Sequence, residues 1–411
     1  MCEYRAQAGG APGRRFGQND GVTRSAQRVT GLGTTIFAEM SALALRTGSV
    51  NLGQGFPDTD GPHEVIEAAV AAMRGGANQY PPGIGIPELR AAVAAHQQRF
   101  YGLTYDPDTE VLITTGATEA IAAALLALVD PGDEVIALEP YYDSYAAGIA
   151  LAGGVRVPAT LRPPEFRLDL DQLRAAVTPR TKLVLVNSPH NPTGTVLTDE
   201  EQAAIAALAI EHDLVVLTDE VYEHLVYDGR PHVPLASLPG MGERTLAVSS
   251  SGKTFSLTGW KVGWVCSTPE LVRTVMAAKQ WLTYVSGAPF QPAIAVALSL
   301  PDSYYSGFTA DLQAKRNQLC DGLADLGFDV LRPAGTYFAT TDVRSVGFDD
   351  GVEFCRVLPD TARVVAIPHQ VFWDDQQAGR PLVRWAFCKR PETIAEALDR
   401  LANGLPGMRR D

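Results

Sequence analysis

The stretch Ser249-Ser250-Ser251-Gly252-Lys253-Thr254-Phe255-Ser256-Leu257-Thr258-Gly259-Trp260-Lys261-Val262-Gly263-Trp264 decides how this chain is read. It follows the apolar run Thr245-Leu246-Ala247-Val248, so a lysine is presented just past a strand end among small hydroxyl residues, with a second cation eight positions on. A solvated lysine needs no such company, whereas one that reacts through its amine wants a partly desolvated pocket with anion-binding groups beside it. A P-loop ending in Gly252-Lys253-Thr254, with 214–220 as its acidic magnesium strand, fails because the glycine required five positions before Gly252 is Ala247. An ordinary surface lysine remains the alternative for this segment taken alone.

Working outward, seven strand-like runs at 111–115, 134–138, 156–160, 182–187, 214–218, 245–249 and 262–266 alternate with helical stretches. That alternation predicts an α/β fold with a mainly parallel sheet covered by helices on both faces, whose ligands sit at the carboxyl ends of the strands. Polar motifs cluster at those ends: Thr114-Thr115-Gly116-Ala117-Thr118-Glu119, Glu139-Pro140-Tyr141-Tyr142-Asp143-Ser144-Tyr145, Asn187-Ser188-Pro189-His190-Asn191-Pro192-Thr193-Gly194 and Asp219-Glu220-Val221-Tyr222. Each has a plain alternative as a βα turn, a core aromatic, a generic loop or a helix cap. Free N–H groups at the helix start after Gly116 would form an anion site. The close X-Pro bonds around Asn191 suggest a rigid turn that can hold cis bonds.

Upstream, the spacing predicts a helix over 34–46, a Gly- and Pro-rich loop Val50-Asn51-Leu52-Gly53-Gln54-Gly55-Phe56-Pro57-Asp58, a helix over 62–74, and then Asn78-Gln79-Tyr80-Pro81-Pro82-Gly83-Ile84-Gly85-Ile86-Pro87-Glu88-Leu89-Arg90. After about residue 292 the pattern changes to helices over 309–327 and 391–405 and strands over 329–331, 336–341, 363–367 and 381–387, a smaller α+β unit. The expected division is an extension over 1–27, a segment 28–60 joining the small unit, a large unit 61–292 and a small unit 293–411. Arg384 lies inside the apolar strand Leu382-Val383-Arg384-Trp385-Ala386-Phe387, where a cation needs an anionic partner, either a structural acid or a ligand.

Composition excludes several classes. With 411 residues and 46% apolar content the chain can bury a large core. Its net charge of −13 (34 basic against 47 acidic residues) argues against nucleic acid as the main partner, so an anionic substrate needs locally placed arginine or lysine. Five scattered cysteines without a Cys-x-x-Cys pair give neither a disulfide framework nor a zinc site, and fit a reducing, cytoplasmic setting. No metal is expected, since no His-Glu-x-x-His occurs among the seven histidines. No membrane association is expected either: the longest clean apolar run, 120–129, is too short to cross a bilayer, and the first twenty residues lack the apolar core of a signal peptide.

Taken together, the lysine stretch, the Asn-Pro loop, Asp-x-x-Tyr and the late arginine resemble the class I/II aminotransferases, enzymes of fold type I that use pyridoxal 5'-phosphate (PLP). The resemblance implies that Lys253 carries PLP covalently and serves as acid and base. By the same likeness Ser250, Lys261 and the backbones of Ala117 and Thr118 hold its phosphate, and Tyr142 rather than Tyr141 stacks on its ring. Asp219 keeps the ring nitrogen protonated, and Asn191 and Tyr222 meet the phenolic oxygen. Gly55, Asn191 and Arg384 meet the substrate, with Arg384 on its α-carboxylate. Tyr80 corresponds to the tyrosine that reaches across a two-fold axis to the neighbouring subunit's phosphate, which implies a homodimer. Lys261 stands where the family more often has arginine, and offers a point charge in place of a bidentate fork.

The activity implied is transfer of an amino group from an amino acid to a 2-oxo acid, with 2-oxoglutarate the expected acceptor. The wording Asn-Leu-Gly-Gln-Gly-Phe-Pro-Asp, Pro-His-Asn-Pro-Thr-Gly and Gly-Lys-Thr-Phe-Ser-x-Thr-Gly-Trp-Lys is similar to the kynurenine and methionine aminotransferase branch. The Ala, Gly and Arg usage is similar to N-succinyldiaminopimelate aminotransferases of lysine biosynthesis, and the expectation leans to these. Kynurenine, methionine or glutamine transamination and a cysteine-conjugate β-lyase are the alternatives. A PLP-sensing regulator would need an added DNA-binding domain for which the chain has no room, and a silent interaction protein would not need every catalytic position filled.

Overall fold

The computed structural model describes residues 26–29, 35–285 and 287–408. All but the last two positions of the expected 1–27 extension, and Thr34 at the head of the expected first helix, lie outside the described residues.

All seven predicted strands form, and they lie in one eight-stranded sheet. Its order is Val111–Thr114, Gly263–Cys266, Thr245–Ser250, Val215–Asp219, Thr181–Asn187, Glu134–Glu139, Val155–Arg162 and Arg167–Leu168. The five strands from Thr245–Ser250 to Val155–Arg162 run parallel, whereas Gly263–Cys266 is antiparallel to both neighbours. Side chains alternate across the sheet as the strand period of two requires. Ile136, Leu138, Val184, Val186 and Val216 face one apolar cluster. Val135, Ala137, Leu183, Leu185 and Leu217 face another, built with Ala120, Ala124 and Leu125 of the helix Gly116–Leu128. Strands covered on both faces read as continuous apolar runs, which is why they are legible in the sequence. Each fully buried Val, Leu or Ile contributes about 1.5–3 kcal/mol.

Register places the chemistry. Asn187 pairs with Asp219 and Asp219 with Val248, so the Asn-Pro loop, Asp219 and the lysine stretch leave the sheet side by side at its carboxyl edge.

The second unit is a four-stranded antiparallel sheet in the order Asp329–Leu331, Phe338–Asp342, Leu382–Ala386, Ile367–Pro368. Val50–Asn51 pairs in parallel with Val364–Val365, tying the chain's beginning to this unit. Three boundaries differ from expectation. The strand expected over 363–367 is two short pieces, because the chain crosses at Ala366 from pairing with Val50–Asn51 to pairing with Leu382–Ala386. The strand expected from 336 begins at Phe338, since Thr336 sits at φ 62°, outside the extended region. The helix expected from 309 starts at Asp302 and runs 24 residues to Asp325, about 36 Å at 1.5 Å per residue.

Buried histidines give the fold an acid limit. Burial holds the pKa of His96 and of His190 down at about 3, and holds His224 and His369 well below the ordinary value. The unfolded chain takes up protons at these positions below about pH 6.5 and the folded chain does not, so this stability is complete above pH 6.5 and is lost as pH falls towards 3. Each contributes a slope of about 1.4 kcal/mol per pH unit. Glu223, raised by burial to about 7, takes a proton in the folded state first and offsets one of the four between pH 7 and 4.5. Urea midpoints measured at pH 7.5, 6.5 and 5.5 are expected to be flat over the first interval and to fall steeply over the second.

Candidate active site

A cavity of about 850 Å³ opens at the carboxyl edge of the large sheet and is walled on its far side by Phe338, Val371 and Arg384 of the second unit. Eleven of the twelve residues singled out from sequence line it: Gly55, Ala117, Thr118, Tyr142, Asn191, Asp219, Tyr222, Ser250, Lys253, Lys261 and Arg384. Tyr80 does not. It is 80% exposed, and its ring meets that of Tyr284 edge-on with centroids 5.4 Å apart.

At one end is a cradle for an anion. The chain turns at Gly116 with φ 73° and enters a 13-residue helix whose first N–H groups lack helical partners. A Cβ at Gly116 would stand 3.2 Å from the Nζ of Lys261, and one at Gly263 would lie 2.6 Å from the carbonyl carbon of Gly116. Only glycines let these backbones approach one another. Lys261 donates to Thr118 Oγ1 at 3.4 Å, and Ser250 stands at the N-cap position of the one-turn helix that carries Lys253 without spending its hydroxyl on a cap bond. Two N–H-rich termini, a hydroxyl and an ammonium make this end fit the phosphate of PLP.

Lys253 sits between the rings of Tyr222 and Tyr337, with Nζ 5.7 and 5.5 Å from their centroids. Burial lowers its pKa to about 8, which makes the neutral amine available near physiological pH. Asp219 ends its strand under the cavity, and burial raises its pKa although Tyr145 and the Val221 N–H stabilise the charged form. Tyr145 donates to Oδ2 at 2.6 Å and Val221 N–H to Oδ1 at 3.3 Å. A carboxylate so buried is suited to a cationic ring N–H in front of it.

Arg384 is 1% exposed and has no acidic partner among the described residues. Its guanidinium donates to Asn191 Oδ1 at 2.9 Å and to the carbonyl of Gly53 at 3.0 Å, lies 3.9 Å from the Phe338 ring centroid, and leaves Nε unpaired. The structural ion pair open at sequence level is therefore absent. An uncompensated buried cation whose guanidinium lines the cavity is suited to a carboxylate. Gly55 owes its identity to the same wall, since a Cβ there would lie 2.5 Å from Phe338 Cζ.

Three residues escaped the sequence reading. Asn187 donates to the main-chain carbonyl of Asp219 at 2.8 Å and accepts from the Asn191 N–H at 2.7 Å, so it joins the end of the Asp219 strand to the Asn191 loop and through it to Arg384. Tyr337 donates to the carbonyl of Gly55 and fixes that loop. Tyr145 orients Asp219, while Tyr141 is tied by its hydroxyl to Asp374 and packs under Arg156, which leaves Tyr142 the freer ring in the cavity. Tyr145→Phe removes one bond to a buried carboxylate and is expected to lower turnover about 10–100-fold, with fluorescence-detected PLP affinity falling in parallel.

The family described as "Aminotransferase class I and II" matches residues 47–401. Over 379 residues the chain is 54% identical to a probable N-succinyldiaminopimelate aminotransferase of Mycobacterium tuberculosis, covering 90% of this chain and 96% of that protein. It is 41% identical over 370 residues to a methionine aminotransferase of Escherichia coli, covering 90% and 96%. The solved structure of the Mycobacterium tuberculosis N-succinyldiaminopimelate aminotransferase superposes with a TM-score of 0.90 at 54% identity, over 92% of this chain and 99% of that one. With the fold, the anion cradle and the buried lysine in agreement with these matches, the chain belongs to the class I and II aminotransferases, PLP-dependent transaminases of fold type I.

Proposed function

We propose that the protein moves the amino group of N-succinyl-LL-2,6-diaminopimelate to 2-oxoglutarate, in the branch of metabolism that makes diaminopimelate and lysine. The observation that carries the transaminase chemistry is the convergence on one cavity of a buried lysine, a buried carboxylate and an arginine without an acidic partner. The donor is supported by the 54% identity to a protein described as a probable N-succinyldiaminopimelate aminotransferase. Besides Lys253, Lys261 and Arg384, the cavity is walled by Ile36, Phe37, Tyr141 and Val371, with Gln54 and Gln376 offering amides. Those amides can meet the succinyl amide of this donor, while its distal carboxylates, like that of 2-oxoglutarate, meet no further lysine or arginine among the lining residues.

Bound PLP supplies an electron sink for the bonds at the substrate α-carbon. Around it the chain's own groups divide the work. Ser250, Lys261 and the Gly116–Thr118 backbone anchor the phosphate end, and Arg384 with Asn191 orients the α-carboxylate. Lys253 would hold the group covalently until the donor amine takes its place, and its freed amine would serve as the base that takes the α-proton and the acid that gives it back. Asp219, oriented by Tyr145, would hold the proton of the ring nitrogen, and Tyr222 and Asn191 would serve the phenolic oxygen. Phe338 and Phe372 keep water from the guanidinium of Arg384 and strengthen its grip.

The working enzyme is a cytoplasmic homodimer in this reading, with Tyr80 of each copy reaching the other's phosphate, and with boundaries at 28–60, 61–292 and 293–411. Among the described residues no helix is long and apolar enough to cross a membrane, and the four described cysteines are free and buried.

The test is kcat/KM with 2-oxoglutarate as acceptor and N-succinyldiaminopimelate, kynurenine, methionine or glutamine as donor. The succinylated donor is expected to lead by at least about 100-fold, the discrimination that contacts worth about 3 kcal/mol provide. Preference for kynurenine or methionine would move the enzyme to that branch. Pyruvate and ammonia from a cysteine conjugate would make it a β-lyase.

A further inference from the structure

Lys279 ends the helix Pro269–Lys279 and is completely buried, yet among the described residues no carboxylate pairs with it. Its ammonium donates to the carbonyl of Gly83 at 2.9 Å and to that of Tyr284 at 2.8 Å. Burial lowers its pKa, and Glu119 only partly opposes the shift. A buried ammonium whose partners among the described residues are main-chain carbonyls is costly, so its place needs a reason other than general stability.

The two carbonyls belong to neighbouring surface segments. One, residues 80–85, carries Tyr80, 80% exposed; the other, residues 281–285, carries Trp281, 82% exposed, with Leu282 and Tyr284 also open to solvent. Tyr284 sits at φ 67°, a conformation a bulky side chain adopts only when its surroundings enforce it. The same segment is clipped inward. Thr283 donates its hydroxyl to Glu119 Oε1 and lies 3.0 Å from the hydroxyl of Thr115, while Glu119 Oε2 accepts the Thr115 N–H at the turn into the phosphate cradle.

We infer that Lys279 is a positioning residue which, with Thr283 and Glu119, locks the exposed aromatic segments to the Thr115–Thr118 turn, so that the seating of a second copy and the grip on the PLP phosphate are set together. This rests on the reading above that a second copy docks on the Tyr80 face. Lys279 fixes where Tyr80 stands relative to Tyr284, and the Thr283–Glu119 clip passes that position to the turn. Neither Lys279 nor Thr283 lines the cavity.

The experiment compares PLP-loaded parent, Lys279→Met, Thr283→Val and Tyr80→Phe proteins by analytical ultracentrifugation and by the dissociation constant for PLP after dialysis. Lys279→Met is expected to raise the dimer dissociation constant and the PLP dissociation constant each by about tenfold or more. Thr283→Val, which leaves the buried ammonium in place and guards against simple misfolding, is expected to weaken PLP several-fold while its thermal midpoint stays near the parent's. Lys279→Arg, with donors for both carbonyls, is expected to recover part of both constants. If Lys279→Met and Thr283→Val both keep the parental PLP and dimer constants while Tyr80→Phe weakens PLP, the lock is wrong and the cross-subunit reading stands. If Tyr80→Phe leaves PLP affinity unchanged, the cross-subunit reading fails, and the inference that rests on it falls with it.

Discussion

Lys253→Ala is expected to lower turnover by at least ~10⁴-fold, the upper range for removing a positioned acid and base, with a further loss because the cofactor is no longer held covalently. The loss belongs to kcat, because the phosphate cradle and Arg384 are untouched and donor binding survives. A small primary amine added to the variant should restore a fraction of the rate, since the missing function is an amine at a defined place. The wild-type protein carries a pH signature as well. Lys253 has its pKa lowered to about 8 by burial, so the cofactor-free protein should capture PLP faster as pH rises from 6 through 8 and level off about one unit above the pKa. Stopped-flow absorbance on the cofactor-free protein checks this, and an unchanging rate across that window would contradict it.

The second large effect belongs to Arg384. Removing one partner of a buried, charge-assisted pair costs about 2–5 kcal/mol, so Arg384→Ala is expected to lower kcat/KM for α-amino acids roughly 10²–10³-fold. Amines without an α-carboxylate should be affected far less, and their ratio to amino acids is the discriminating measurement. Stability should move the other way. The guanidinium has no acid partner to lose, so Arg384→Met, similar in volume, should leave the cofactor-free protein as stable as the parent or more so. A collapse in stability together with equal losses on both substrate classes would make Arg384 structural.

The parts of this molecule that were legible in the sequence are those where chemistry and local pattern coincide. Each central strand is an apolar run ending in a polar turn, and the turns at Gly116, Asn187–Gly194, Asp219 and Lys253 carry side chains of uncommon composition. Their meeting in one cavity follows from parallel register, because strands that run the same way end at the same edge. The Tyr145–Asp219 bond was not legible, since its partners are 74 residues apart and three tyrosines stand within five positions. Asn187 lay inside a recognised loop, but its role as a two-way bridge depends on Asp219 arriving beside it from the next strand. The arginine's lack of an acid partner was equally hidden, because sequence can place a cation in an apolar strand without saying what faces it. Lys279 shows the same limit, as its two acceptors are backbone carbonyls that no residue type announces.

The account depends most on Lys253 being the residue that holds the cofactor. Borohydride reduction of the PLP-loaded protein followed by peptide mass mapping tests this directly. The account predicts a single modified peptide containing Lys253, heavier by the reduced cofactor, and none from Lys253→Ala. A label on Lys261 or Lys279, or none on any lysine, would contradict it.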